Sequence, residues 1–275
     1  MNRRRNAGGS DGKARKSLMK AGRGGSVFHS TEVTLHHCWI DGQPVTFCGT
    51  MWRDPIQKAH RKGGFYESEE LALLAQLVPA GATIVDIGAN VGNHTLYFGL
   101  FMKAAKVIPF EPNPLAYEVL LAHVAANGLA QVVDLSHIGL GLSNSAASGF
   151  AMEERQRNLG AASMKSEGGD IDVIRADSVL DDVAPDFIKL DVEGMEIEVL
   201  EGLGDIPRRD KPLMFVEVNH ENAERFEAWR DAQGYLTLHR INRYSNSTYH
   251  LMAHMTRAHA LSAKIETLTA EKENA

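Results

Sequence analysis

Apolar positions along this chain keep two rhythms. Short runs with β-branched residues recur at 83–87, 106–110, 132–138, 171–175, 186–190 and 213–218, and each reads as a buried strand. Between several of them the spacing becomes helical. Leu96, Tyr97, Leu100 and Phe101 share one face, as do Met195, Val199, Leu200 and Leu203 of a helix opened by Glu193-Gly194, and 221–233 reads as another helix. Asn113-Pro114 is a cap followed by a first-turn proline, which predicts a helix to Asn127 with Gly128 beyond its end. Ser68 reads as an N-cap with Glu69 and Glu70 in the first turn, and Leu71, Leu74, Leu77 and Val78 form the apolar face before Pro79-Ala80-Gly81. Strands alternating with helices predict an α/β domain built on a doubly wound, mostly parallel sheet. Runs at 235–241 and 247–251 close it with antiparallel pairing.

The flanks differ. Residues 33–40 and 43–48 around Asp41-Gly42 read as a β-hairpin, a lid or an edge addition to the core. In that register Cys38 faces Val45 and Cys48 faces Leu35, so the two cysteines lie on opposite faces and share neither a disulfide nor a metal with His29, His36 or His37. Residues 141–169 are rich in Ser, Gly, Asn and Ala without a clean period, and read as a long loop, either a substrate lid or a mobile connection. Ala258, Leu261, Ile265 and Leu268 repeat at heptad spacing too briefly for a coiled coil. They predict a short amphipathic helix packed on its own core or on a partner subunit, the second being a route to a homo-oligomer.

With 275 residues the chain divides into a tail (1–25), an extension (26–80), a core (81–255) and a C-terminal helix (256–275). Net charge is −6 overall but uneven: residues 1–25 carry eight basic side chains against Asp11 alone, and the remainder carries 21 basic and 34 acidic ones. The tail lacks large apolar residues and is expected to be disordered. An acidic body argues against nucleic acid as the main substrate. No apolar run is long enough to span a membrane, no signal peptide is evident, and two cysteines fit a reducing compartment, so a cytoplasmic protein is expected.

Chemistry concentrates at Val85-Asp86-Ile87-Gly88-Ala89-Asn90-Val91-Gly92-Asn93. A glycine-rich turn from strand to helix offers bare backbone and free N–H groups to a ligand. Glu111 ends the next strand, about 20–25 residues on, where a carboxylate can accept both hydroxyls of a ribose. The turn carries an acid, Asp86, and departs from GxGxxG. It would repel a pyrophosphate but could hold an ammonium group, which suits S-adenosylmethionine better than NAD.

VDIGANVGNHTLYF, PFEPNP, DFIKLDVEGMEIEVLEGL and LMFVEVN, in that order, resemble the FkbM-type S-adenosylmethionine-dependent methyltransferases over residues 63–250. The resemblance implies a class I methyltransferase (Rossmann-like) fold and an O-methyltransferase acting on a hydroxyl of a sugar, glycolipid or polyketide-type molecule. It implies S-adenosylmethionine held by Glu67, Asp86, Gly88, Asn90, Gly92, Asn93, Glu111, Pro112, Asn113, His137, Gly139 and Asp191. Within that set Glu67, beside Tyr66, would help close over the cofactor, and His137 to Gly139 would line the adenine pocket. Asp177 matches an acidic position of the family.

Four residues are candidates for catalysis: Lys189, Asp191, Glu217 and His220, beside Glu193 at the same crevice. Lys189 and Asp191 share a strand face and pair with each other; a structural ion pair is the alternative. His220 titrates nearest neutrality and is the candidate general base, its alternative being a surface histidine. A divalent metal could acidify the hydroxyl, though no ligand spacing indicates one. A nucleotide-dependent oxidoreductase and a non-catalytic binding domain remain the other readings. The acceptor itself, a small molecule or glycan, is not named by any motif.

Overall fold

The computed structural model describes residues 32–153, 158–159 and 162–273; the expected disorder of residues 1–25 lies outside them. The elements run β1 (Thr34–Ile40), β2 (Gln43–Gly49), α1 (Pro55–Arg61), α2 (Ser68–Leu77), β3 (Thr83–Ile87), α3 (Asn93–Leu100), β4 (Lys106–Phe110) and α4 (Pro114–Ala126). They continue with β5 (Leu140–Ser143), β6 (Ala147–Met152), β7 (Met164–Lys165), β8 (Ile171–Arg175), β9 (Phe187–Leu190), α5 (Glu196–Gly202), α6 (Ile206–Asp210), β10 (Leu213–Asn219), α7 (Ala223–Ala232), β11 (Tyr235–Ile241), β12 (Ser247–His254) and α8 (Met255–Glu273).

Six strands form the central sheet in the order β11-β12-β10-β9-β3-β4. β4, β3, β9 and β10 are parallel, and β12 and β11 add antiparallel pairing. Alternation along the strands sends residues to two cores. Ile84, Phe187 and Phe215 meet Leu74 of α2, Leu96 of α3 and Ile265 of α8 on the first face. Val85, Ile87, Ile188 and Met214 meet Ile197 and Leu200 of α5 and Phe226 of α7 on the second. Strands buried on both faces explain the near-continuous apolar runs of the sequence.

β1 and β2 pair in the expected register, with Cys38 opposite Val45 and Cys48 opposite Leu35. The hairpin is a separate two-stranded sheet, not an edge of the central one. It is bonded to α4: the Cys48 N–H donates to His123 Nε2 at 2.8 Å, and the Thr46 N–H to Asn127 Oδ1 at 2.8 Å. Val45 and Phe47 are fully buried, so β2 belongs to the core and is not a lid.

Several expectations are corrected. Residues 132–138 do not make a strand. One bridge joins Val133 to Val107, and Asp134 then accepts the Ser136 N–H at 3.0 Å, turning the chain into a 3-10 turn at Leu135–His137. A short side chain that satisfies its neighbour's backbone competes with the ladder, and here it wins. The stretch 141–169 is not one loop. β5, β6 and β7 form a four-stranded sheet with β8, in the order β5-β8-β6-β7. Small residues hid the alternation of β6, Ala-Ser-Gly-Phe-Ala-Met, none of which is fully buried. α5 begins at Glu196, three residues later than read, because Gly194 takes a positive φ of 87°. α7 spans 223–232, with 220–222 as a 3-10 turn. Ala258 and Ile265 of α8 are buried and Leu261 and Leu268 partly so, against this chain's own core.

Candidate active site

β3 is where the parallel order reverses, with β4 on one side and β9 on the other. At such a switch point a crevice opens beyond the strands' carboxyl ends. Two cavities occupy it, one beside each face of the sheet. The first is a cleft partly open to solvent, with about 660 Å³ of space between Phe110, Glu111, Leu140, Leu142, Met152, Met164 and Met195. The second, also partly open, has about 870 Å³ of space and is lined by polar side chains, Tyr66, Glu67, Asn93, His94, Lys189, Glu217, Tyr244 and Tyr249 among them. Gly88, Asn90, Asp191 and Glu193 line both.

The turn between them is held tightly. Gly88 has φ +73°, and a Cβ there would lie 1.8 Å from the Asp191 carbonyl oxygen. The glycine therefore admits protein backbone from the next strand, beyond any role toward a ligand. Gly92, also at positive φ, faces Leu120 of α4 and serves helix packing; it lines neither cavity. Asn90 adopts φ 49° and donates its N–H to Glu111 Oε2 at 2.8 Å. The Asn113 N–H donates to Glu111 Oε1 at 2.7 Å, while the Asn113 side chain caps α4. Asn113 thus orients Glu111 and does not line the two cavities; Pro112 lines the first. Burial pushes Glu111 up to about 7 against these two amide bonds.

Asp86 is not where the ligand reading put it. It is fully buried, accepts the Thr95 hydroxyl at 2.6 Å, and faces Lys189 Nζ at 3.6 Å without a hydrogen bond. The ammonium it holds belongs to this chain. Lys189 in turn donates to the Gly88 carbonyl at 2.7 Å and lies 3.4 Å from Asp191 Oδ2. Burial disfavours its charge, but Asp191 and Asp86 outweigh that and raise its pKa. Lys189 braces the turn, and the expected Lys189–Asp191 pair is one side of a triad with Asp86.

Asp191 has a side chain 26 % exposed and sits where the cavities meet. Burial works to raise its pKa, but Lys189 prevails and keeps it ionised. Glu217 is pushed well up, by burial and then by the charge of Asp191, so the pair holds one proton. The Ser247 hydroxyl donates to Glu217 at 2.5 Å.

The polar cavity holds residues that strand-end reasoning missed. Glu67, not Ser68, precedes α2 as its cap, in a left-handed conformation with φ 56° and no capping bond from its side chain. Its carboxylate is instead turned into the cavity. Oε1 accepts the Tyr244 hydroxyl at 2.8 Å and the Tyr249 hydroxyl at 3.3 Å; Oε2 lies 3.5 Å from His94 Nε2. Burial and the charge of Asp191 push Glu67 up to about 7. Burial, then Lys189, lowers His94 to about 3, so it is neutral. His94 Nε2 is buried without a hydrogen-bond partner. Asn93 bonds both backbone groups of Tyr66 at 3.0 Å, tying residues 66–67 to the start of α3.

Four predicted residues fall elsewhere. His220 lies on an exposed turn, 3.3 Å from the Thr248 hydroxyl, and lines neither cavity. The His137 ring stacks on Phe110 with centroids 5.2 Å apart, and Gly139 donates its N–H to the Glu111 carbonyl; the apolar wall is instead made by residues 140–142. Asp177 pairs with Arg175, away from the crevice. Among the described residues no group of three or more His, Cys, Asp or Glu side chains could hold a metal ion, and no helix is long and apolar enough to cross a membrane.

The model of the methyltransferase FkbM domain matches residues 86–256. Methyltransferase sdnD of Sordaria araneosa is 28% identical over 162 residues, covering 46% of this chain and 62% of that one. Hexuronic acid methyltransferase AglP of Haloferax volcanii is 29% identical over 142 residues, covering 50% and 56%. This chain therefore spans about three fifths of the length of those curated relatives. Among solved structures, the methyltransferase FkbM from Methylobacillus flagellatus is similar at 20% identity and a TM-score of 0.45, over 62% of this chain and 43% of that one.

Proposed function

From the premise that the chain belongs to the FkbM methyltransferase family, we propose that it is an S-adenosylmethionine-dependent O-methyltransferase acting on a hydroxyl of a sugar, glycolipid or polyketide-type molecule. One observation carries the reading. Glu111, fixed by two backbone amides, stands in an apolar cavity that continues past Asp191 into a polar one. That sequence of surfaces matches a base, a ribose diol and, beside Asp191, a sulfonium, with the polar cavity beyond it open to an acceptor. When bound, S-adenosylmethionine would supply an electrophilic methyl group. Glu111 would accept the ribose hydroxyls, Phe110, Leu140 and Leu142 would flank the base, and Gly88, Asn90 and Asp191 would border the sulfonium end. Asp86 is given no part in it, since it lines neither cavity and faces Lys189.

An oxidoreductase using NAD is less well supported. Among the described residues the only cationic side chain lining either cavity is Lys189, and it is already bonded to Gly88. A pyrophosphate would meet Glu111, Asp191 and Glu193 instead. The likeness to a hexuronic acid methyltransferase supports a sugar acceptor. The test is a thermal-shift panel with S-adenosylhomocysteine, S-adenosylmethionine, NAD and NADP. A ligand at about 100 times its Kd stabilises by about 2.7 kcal/mol. A shift with NAD and none with S-adenosylhomocysteine would reject the reading.

A further inference from the structure

We propose that Glu67 and His94 form the seat of the acceptor hydroxyl, Glu67 taking its proton and His94 holding its oxygen, and that this acceptor is an uncharged polyol. The inference rests on the methyl-transfer reading above and assigns the proton acceptor that reading leaves open. His220 is outside the cavity, Lys189 stays charged, and Glu217 keeps its proton beside Asp191.

Three observations converge on the pair. Glu67 Oε2 and His94 Nε2 are 3.5 Å apart on the wall of the polar cavity. That is too long for a hydrogen bond between them, and both side chains line the same cavity. His94 is 6 % exposed and its Nε2 has no hydrogen-bond partner, an arrangement that costs free energy unless a ligand satisfies it. Glu67 reaches the cavity from a left-handed backbone, which a non-glycine residue keeps only where its surroundings impose it. The Tyr244 hydroxyl holds Oε1, Tyr249 shares its proton between Oε1 and Asp191, and Arg243 Nε faces Oε1 at 3.9 Å, which fixes the direction of Oε2. Burial places Glu67 at about 7, where a carboxylate is basic enough to take a proton as the oxygen reacts.

The step balances. The acceptor oxygen forms a bond to the methyl carbon as the carbon–sulfur bond breaks and its electron pair stays on sulfur. The hydroxyl proton passes to Glu67 Oε2, and the neutral His94 Nε2–H donates to the oxygen throughout. Acceptor charge follows from the walls. Among the described residues Glu67, Asp191, Glu193 and Glu217 line the cavity, and the one ammonium lining it is held by Gly88, Asp86 and Asp191. Among the described residues an acceptor carboxylate would find no free cation there.

The test uses the full chain with ¹⁵N-labelled histidine, titrated above neutral pH with glycerol, methyl α-glucopyranoside and methyl glucuronide, with and without S-adenosylhomocysteine. The seat therefore stands or falls apart from cofactor identity. The His94 Nε2 resonance should move saturably with a neutral polyol and not with the glucuronide. No movement with either polyol, or equal movement with the glucuronide, overturns the proposal. Methyl transfer to the responding polyol should rise with pH through about 7. Glu67→Gln should lower kcat by about 10²–10⁴-fold, with a small change in KM and no remaining acid limb. Glu67→Asp should recover part of the rate and keep the limb. Retention of kcat within about tenfold in Glu67→Gln, at an unchanged S-adenosylhomocysteine shift, also overturns it.

Discussion

The two cavities meet at Asp191 yet are built by opposite means. In the apolar one, polarity is confined to Glu111 and its edges, and backbone amides from the two adjoining turns aim that carboxylate. In the polar one, side chains from α2, α3, β9, β10 and β12 hold one another. Glu67 is bonded by Tyr244, the single Tyr249 hydroxyl proton is shared between Glu67 and Asp191, Lys189 faces Asp191, and Ser247 bonds Glu217. Backbone geometry changes little with sequence, whereas a side-chain network can be altered one residue at a time. The first construction suits a ligand shared by many relatives; the second suits a partner that differs among them.

The largest expected effect removes the frame common to both cavities. Gly88→Ala sets a Cβ against the Asp191 carbonyl at positive φ, and should cost on the order of 4 kcal/mol in denaturant unfolding together with S-adenosylhomocysteine binding. A stable variant that binds normally would show that β9 is free to move away from the turn. Next is Glu111→Ala. Losing hydrogen bonds to a charged acceptor weakens binding by about 1.5–3 kcal/mol, so most of the S-adenosylhomocysteine thermal shift should vanish while the seat at His94 persists. If polyol binding vanished equally, the cavities would not be separable.

A smaller effect distinguishes the polar side by pH. Glu67 has a folded pKa of about 7, raised above its ordinary 4.5. Its contribution to stability is therefore present below about 4.5 and is lost as pH rises through about 7. The melting temperature of Glu67→Gln relative to the native chain should climb across that window. His94 acts the other way: its folded pKa of about 3 lies below 6.5, so its contribution is present above 6.5 and lost as pH falls toward 3. A flat difference between pH 4.5 and 7 would show that Glu67 is not desolvated. The smallest effect is at His220. His220→Ala should leave stability within about 0.5 kcal/mol and leave S-adenosylhomocysteine binding unchanged, because its side chain is exposed and off both cavities.

Legibility followed locality. β3 and β4 were readable to the residue, because β-branched runs end at Gly88 and Glu111. α4 was readable from Asn113-Pro114, whose cap is made within two residues. Of the second sheet only β8 was, since Ser, Gly and Ala give β6 no alternation to follow. In the site, Glu111 was evident from its distance to the glycine turn. The partner of Asp86 was not, although a signal existed: Asp86 and Lys189 are register neighbours on adjacent parallel strands, and a buried lysine needs an acid. His94 looked like an ordinary polar residue of a helix's first turn. Its role depends on α2 arriving beside it, which no spacing within 93–100 encodes.

Gly88 and Asp191 are about a hundred positions apart in sequence, and that separation governs how the protein comes to be able to bind. The Asp191 N–H donates to the Ile87 carbonyl, its own carbonyl seals the space over Gly88, and Lys189 bonds the Gly88 oxygen. None of these contacts can form until the chain between has folded back and β9 has docked. Closing so long a loop is entropically slow, so the turn that resembles a local motif is completed late. A fragment ending before residue 187 should carry the glycine motif and yet bind nothing, and ligand affinity in the intact chain becomes a gauge of whether the whole domain has assembled.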